Sequence, residues 1–190
     1  MAKSPRFFEE VEPSVLRRCL RGEIEAFRDV YLFYGKSIRH LGIFMLGDPA
    51  EADDLLQDLF VKLYENIKDY RFEAPFAAWF YRIAVNLCRD RLRARARRLR
   101  YWIGGRGKDL ARDESEPSAE SELFATERAR AVRAALMQLH PKYRICLVLR
   151  DVEDCSYEEI AAILKVSVGT VRSRLNRGRK RLRNLLSQEK

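Results

Sequence analysis

No stretch of this chain approaches the ~18 uninterrupted apolar residues that a bilayer-spanning helix needs, and the first residues, MAKSPRFFEEVEP, lack the apolar centre of a secretory leader. A cytoplasmic protein is the expectation. Metal and thiol chemistry are equally poorly supplied. The two histidines, His40 and His140, stand at no ligand spacing from a cysteine, and the four cysteines (Cys19, Cys88, Cys146, Cys155) form no CxxC pair. Buried thiols in a reducing compartment are the expectation. No glycine-rich phosphate loop or nucleophile–base arrangement is legible, so neither an enzyme nor a cofactor is expected. Alternation of apolar and polar residues at period two is nearly missing too, which argues against a sheet.

Basic charge, by contrast, is abundant. The 190 residues carry a formal net charge of +9, and 47% of them are apolar, enough for a packed core. The charge is laid out in blocks. Residues 1–88 are nearly neutral; residues 89–108 hold nine basic side chains against one acidic; residues 109–125 hold six acidic against one basic; residues 126–190 hold fifteen basic against seven acidic. Two basic patches flanking an acidic bridge suit an anionic partner such as nucleic acid.

Apolar spacing of three and four predicts helices over about Glu12–Arg21, Glu23–Leu46, Pro49–Ile67 and Phe76–Arg98, punctuated by Gly22, by Gly47-Asp48-Pro49 and by a loop over Lys68–Pro75. Periodicity then collapses. Ile103–Ser121 is rich in glycine, serine and acid, and it holds too little apolar surface to offset the entropy of ordering it. Helical spacing resumes near Leu123, and Pro141 opens a further helix. The expected fold is all-α: two small helical domains, residues 1–100 and 122–190, joined by a flexible acidic linker over residues 101–121.

The stretch SYEEIAAILKVSVGTVRSRLNRGRKRL, Ser156–Leu182, is the most specific in the chain. Ser156 and Glu159 form a capping box, a helix of about eight residues follows, and Ser167 can cap a second helix after a three-residue turn. That is the spacing of a helix-turn-helix. Lys165 occupies a turn position that often takes glycine, so a positive φ is expected there. On the second helix Val168, Val171, Leu175, Gly178 and Leu182 share an inward stripe. Arg172, Ser173, Asn176, Arg177, Arg179 and Lys180 are left for DNA, arginine and asparagine being suited to base edges and the later basic residues to phosphates.

In the first half, Tyr70–Arg98 interleaves aromatics with arginines, a composition that serves stacking and phosphate contact with single strands. Trp79, Phe80 and Ile83 are assigned to the core, whereas Phe72, in the loop, has less reason to be buried. The helix EADDLLQDLFVKLY, Glu51–Tyr64, couples an apolar stripe to Asp53, Asp54, Gln57 and Asp58, which form either a solvated rim or a docking face for a basic helix.

Taken in order, EADDLLQDLF, FAAWFYRIAVNLCRDRLR, LMQLHPKYRICLVLRDVEDCS and the helix-turn-helix stretch resemble bacterial RNA polymerase sigma factors of the sigma-70 family, in particular the small extracytoplasmic-function (ECF) group. The four blocks are similar to regions 2.2, 2.3–2.4, 4.1 and 4.2. The resemblance implies that Asp53, Asp54, Gln57 and Asp58 contact the clamp helices of the largest polymerase subunit. It implies that Tyr70, Arg71, Phe72, Glu73 and Ala74 form a pocket for a flipped −10 base, and that Asn86, Arg89 and Arg93 face the −10 duplex edge. The −35 major groove would take Arg172, Ser173, Arg174, Asn176 and Arg177. Core RNA polymerase, including the flap of its second-largest subunit, promoter DNA and an anti-sigma factor are the implied partners. Phe72 stands where the family often has a small residue, and His140 departs from a frequent Leu-Pro pairing. An autonomous helix-turn-helix regulator is the alternative reading; an RNA-binding protein using Arg89–Arg100, or an enzyme using Cys88 or Cys146, is more remote.

Overall fold

The computed structural model describes residues 10–101 and 127–188; the linker expected over 101–121 lies, apart from Tyr101, outside the described residues. The described residues form eight α-helices: α1 (Pro13–Leu20), α2 (Ile24–Leu46), α3 (Pro49–Asn66), α4 (Phe76–Tyr101), α5 (Glu127–Gln138), α6 (Pro141–Leu147), α7 (Tyr157–Leu164) and α8 (Val168–Gln188). No strand occurs among the described residues. A 3-10 turn covers Ile67–Asp69, where a plain loop is expected from the sequence, and a π-turn over Val148–Val152 extends α6.

Local chemistry explains each boundary. Gly22 and Gly47 adopt φ of +80° and +85°, backbone that a side chain disfavours, and they end α1 and α2. Asp48 then caps α3, its carboxylate accepting the Ala50 N–H at 2.8 Å, and Pro49 fills the first turn. His140 caps α6 in the same manner, its Nδ1 accepting the Lys142 N–H at 3.2 Å. This role accounts for a histidine ahead of Pro141.

Residues before Glu23 carry no readable motif in the sequence, yet the described ones, 10–22, close the first lobe. Glu10 accepts the N–H groups of Phe76 and Ala77 at 3.1 and 3.2 Å, so an acidic side chain caps α4 from 66 residues away. Burial raises the Glu10 pKa despite these two hydrogen bonds.

The first lobe, α1–α4, is built around aromatic contacts. Tyr34 of α2 lies 5.6–6.2 Å from the rings of Phe76, Phe80 and Tyr81 of α4, and Phe76 stacks on Phe80 at 5.5 Å and 14°. Such pairs contribute about 0.5–1.5 kcal/mol each beyond burial. The α2–α3 crossing is so close that a Cβ on Gly42 would come within 2.8 Å of the Ala52 Cβ. In the second lobe, α5–α8, the inward stripe of α8 is as the spacing predicts: Val171, Leu175 and Gly178 are buried, and Leu182 is partly so.

The two lobes are not held only by their connection. Their buried residues form one continuous cluster, with α2 against α5, α6 and the π-turn, and α4 against α7. Ala129 of α5 packs on Ile43 and Ala52. Arg144 of α6, only 5% exposed, donates to the carbonyls of Met45 at 2.6 Å, Met137 at 2.5 Å and Leu139 at 3.1 Å. Arg133 donates to the Gly47 carbonyl. The end of α2 is thus satisfied by arginines of the second lobe.

Candidate nucleic-acid and polymerase interfaces

The helix-turn-helix is assembled as its spacing predicts. Ser156 Oγ accepts the Glu159 N–H at 3.2 Å while the Glu159 carboxylate accepts the Ser156 N–H, completing the capping box of α7. Lys165 ends α7 at φ +52°, the left-handed conformation expected of it. Ser167 Oγ then accepts the Thr170 N–H at 3.2 Å and opens α8.

With its apolar stripe inward, α8 exposes Arg172, Ser173, Asn176, Arg177, Arg179 and Lys180, and Arg174 is half-buried. Not all of this charge is free. Arg179 donates to Asp151 at 2.7 Å, a contact that raises its pKa. Arg177 faces the Tyr143 hydroxyl and lowers its pKa. The Tyr143 ring also carries the Arg181 guanidinium at 4.9 Å and the Lys142 ammonium at 5.1 Å from its centroid. Between α6 and the start of α8 a groove of about 430 Å³ is lined by Lys142, Tyr143, Ser167, Thr170, Arg174 and Arg177 among others, a chemistry suited to phosphate oxygens.

On α4, Asn86 and Arg93 are exposed and Arg89 is half-buried. Burial first, and then the nearby Arg174 and Arg93, lower the Arg89 pKa. The two candidate DNA elements therefore meet across the lobe junction. In the loop ahead of α4, Arg71, Phe72, Glu73 and Ala74 are exposed, and Phe72 is held at φ +56° with half its surface open. Tyr70 differs from its neighbours: it is buried, packs on Phe72, Phe76 and Trp79 at 4.7–5.5 Å, and donates its hydroxyl to the Ala74 carbonyl at 2.8 Å. Tyr70 thus shapes the loop, while the Phe72 ring is presented to solvent. Phe80 is fully buried, and Trp79 and Ile83 are partly buried against the core.

On α3, Asp54 and Gln57 are exposed. Asp53 is paired with Arg39 of α2 at 2.6 Å and Asp58 with Arg91 of α4 at 2.5 Å. An apolar patch lies beside this rim: Val61 and Tyr64 are more than half exposed, and the Phe27 ring packs tilted against Tyr64 at 5.3 Å. The sequence reading missed Val61 and Tyr64, although both continue the exposed face of α3 beyond Asp58.

The cysteines sit where thiolate formation is disfavoured. All four are buried and free, and burial pushes the thiols up, Cys19 to about 11 and Cys88 to about 12. No group of three or more metal-ligating side chains exists among the described residues, and no described helix is long and apolar enough to cross a membrane.

Comparison with known proteins adds a third line. Residues 31–98 match the family description "Sigma-70 region 2" and residues 129–182 match "Sigma-70, region 4". The chain is 32% identical over 180 residues to the ECF RNA polymerase sigma factor SigW of Bacillus subtilis, covering 90% of this chain and 94% of that protein. It is 32% identical over 182 residues to the RNA polymerase sigma-H factor of Pseudomonas aeruginosa, covering 90% and 91%. Among solved structures, the sigma factor RpoE of Bartonella quintana, crystallised with the anti-sigma factor NepR, superposes with a TM-score of 0.67 at 25% identity, covering 87% of this chain and 99% of that one.

Proposed function

The chain belongs to the sigma-70 family of RNA polymerase sigma factors, in its extracytoplasmic-function group, and from that premise we propose that it binds core RNA polymerase, reads a promoter at two separate elements and opens the duplex for transcription initiation. The observation that carries the reading is α8, a 21-residue helix entered through a capped helix-turn and presenting Arg172, Ser173, Asn176 and Arg177 away from its apolar stripe. A helix so equipped fits the major groove, where each good bidentate contact discriminates by about 1–3 kcal/mol.

Three sites divide the work. Arg172, Ser173, Arg174, Asn176 and Arg177 read the −35 element, with Arg179 and Lys180 on phosphates. Asn86, Arg89 and Arg93 lie along the −10 element, and the loop Tyr70–Ala74 receives an expelled base. Exposed Phe72 supplies a stacking face there, and base stacking on an aromatic ring contributes about 1–3 kcal/mol. Asp54, Gln57 and Asp58, with Asp53 beside them, dock on the polymerase clamp. Each reader is small, so two of them gain selectivity when polymerase holds both at the promoter's own spacing. Sigma factors are not enzymes in the usual sense, and polymerase supplies the chemistry.

Regulation by an anti-sigma factor is part of this reading, because the RpoE structure to which the chain is similar contains one. Transcription in vitro with core polymerase on a promoter library, alongside a gel shift with and without core, tests the function. Specific initiation and a shift that needs core are the expected results. A specific shift without core would favour an autonomous regulator.

A further inference from the structure

At the junction between the lobes lies a carboxyl group that no cation meets among the described residues. Glu153 follows the π-turn, and its side chain reaches the first lobe. The Ser37 hydroxyl of α2 and Tyr81 of α4 face it from that lobe, and Cys155 faces it from its own segment. Ser37 is itself 7% exposed and Tyr81 1%. Glu153 Oε1 is buried without a hydrogen-bond partner among the described residues. Arg150, the arginine of the same segment, is engaged elsewhere: it donates to the Cys155 carbonyl at 2.7 Å and lies 3.9 Å from Asp154.

An ionised carboxylate in such a place is poorly compensated, because burial removes water and a single hydroxyl returns one hydrogen bond. A protonated carboxyl loses no charge solvation and gains a donor. We propose that Glu153 is a proton-dependent latch between the two lobes: the packed arrangement holds a proton on this carboxyl, and separating the lobes releases it. The latch rests on the junction alone; its consequence for transcription rests on the reading of α4 and α8 as promoter-facing. In the packed arrangement Arg89 and Arg174, proposed for different promoter elements, are near enough for the charge of one to lower the pKa of the other.

The direction follows from the two states. Burial pushes the carboxyl from its ordinary 4.5 up to about 7 in the packed state, whereas separation would return it to water. The raised value belongs to the packed state, so packing is favoured at low pH and the contribution is lost as pH rises toward about 7. Within that window the ratio of separated to packed lobes rises roughly tenfold per pH unit, and it levels off above. The neighbouring groups do not reproduce this. Tyr34, Tyr81 and Cys155 are pushed upward and stay neutral throughout, and Glu159 reaches the cluster only through Cys155. His40, one turn beyond Ser37, is lowered by burial and by Lys36 and Arg39, so its titration opposes packing on acidification.

Amide hydrogen exchange on the full chain, corrected for intrinsic rates, measures opening of the segments around Ser37 and over residues 148–155 from pH 5.5 to 7.5. The expected result is an opening constant that climbs about tenfold per unit up to about pH 7, with helix content unchanged by circular dichroism. In Glu153→Gln the rise with pH should disappear, and in His40→Gln it should persist, at least as steep as in the wild type. A pH-independent constant in the wild type, an unchanged slope in Glu153→Gln, or a loss of helix accompanying the opening would overturn the latch. Should Glu153→Gln fail to fold, carbon-13 titration of the Glu153 carboxyl in the wild type decides: an ordinary midpoint near 4.5 defeats the proposal, and one near 7 supports it. Neither measurement involves polymerase, so failure here is distinct from failure of the functional reading.

Discussion

Arg91 and Asp58 join α4 to α3 across 33 residues of sequence, the guanidinium meeting the carboxylate at 2.5 Å while its other nitrogen donates to the Glu51 carbonyl at 2.7 Å. The acid proposed to dock on polymerase is therefore already held in place from within the lobe. Its carboxylate keeps an exposed side, with 57% of the side chain open, so it can accept a second cation without leaving the first. A half-held carboxylate loses less rotamer freedom on docking than a free one.

Asp58→Lys sets a cation against Arg91 and reverses the docking charge. Association with core polymerase should fall at least tenfold in a pull-down. The chain itself should remain folded, since the Asp58 side is 57% exposed and a part-exposed pair contributes on the order of 1 kcal/mol. Normal association of this variant would remove Asp58 from the clamp contact.

Arg172→Ala deletes an exposed guanidinium that makes no ion pair or hydrogen bond with a side chain among the described residues. Loss of one bidentate contact predicts a roughly five- to hundredfold drop in initiation that depends on the −35 sequence, with core binding unchanged. An equal loss on templates with and without that element would show a phosphate contact and not a base contact.

Lys165→Gly should raise stability by about 0.5–1 kcal/mol, because φ of +52° strains any side chain and glycine relieves it. The melting temperature should rise by a few degrees, and Lys165→Val should lower it. A decrease in the glycine variant would mean that the lysine side chain makes a compensating contact.

Thiol reagents test the remaining enzymatic alternative. With all four cysteines buried and their thiols held in the neutral form, the native chain should react with an aromatic disulfide at pH 8 about a hundredfold more slowly than the denatured chain. One thiol titrating at the denatured rate would reopen a role for it.

Much of this molecule is legible in the order of its residues, for a definite reason. Helix bounds depend on partners within four positions, so Gly47-Asp48-Pro49, the Ser156–Glu159 box and Lys165 announce themselves, and so do the inward stripe of α8 and the outward set from Arg172 to Lys180. The π-turn after α6 is different: its five residues continue an apolar helical pattern, and no local signal separates the two.

What the fold alone decided are pairings between distant positions. Glu10 caps α4 across 66 residues, Arg144 reaches Met45 across 99, and Ser37 meets Glu153. Arg144 stands beside the apolar run Ile145–Leu149, and Glu153 in the acidic stretch Asp151–Asp154. No spacing rule marks either as buried. Periodicity states which face of a helix turns inward, but not which other helix it meets or which charge finds its partner there. That choice is made by the docking of whole faces, and it turned residues of ordinary appearance into the contacts that hold the two lobes together.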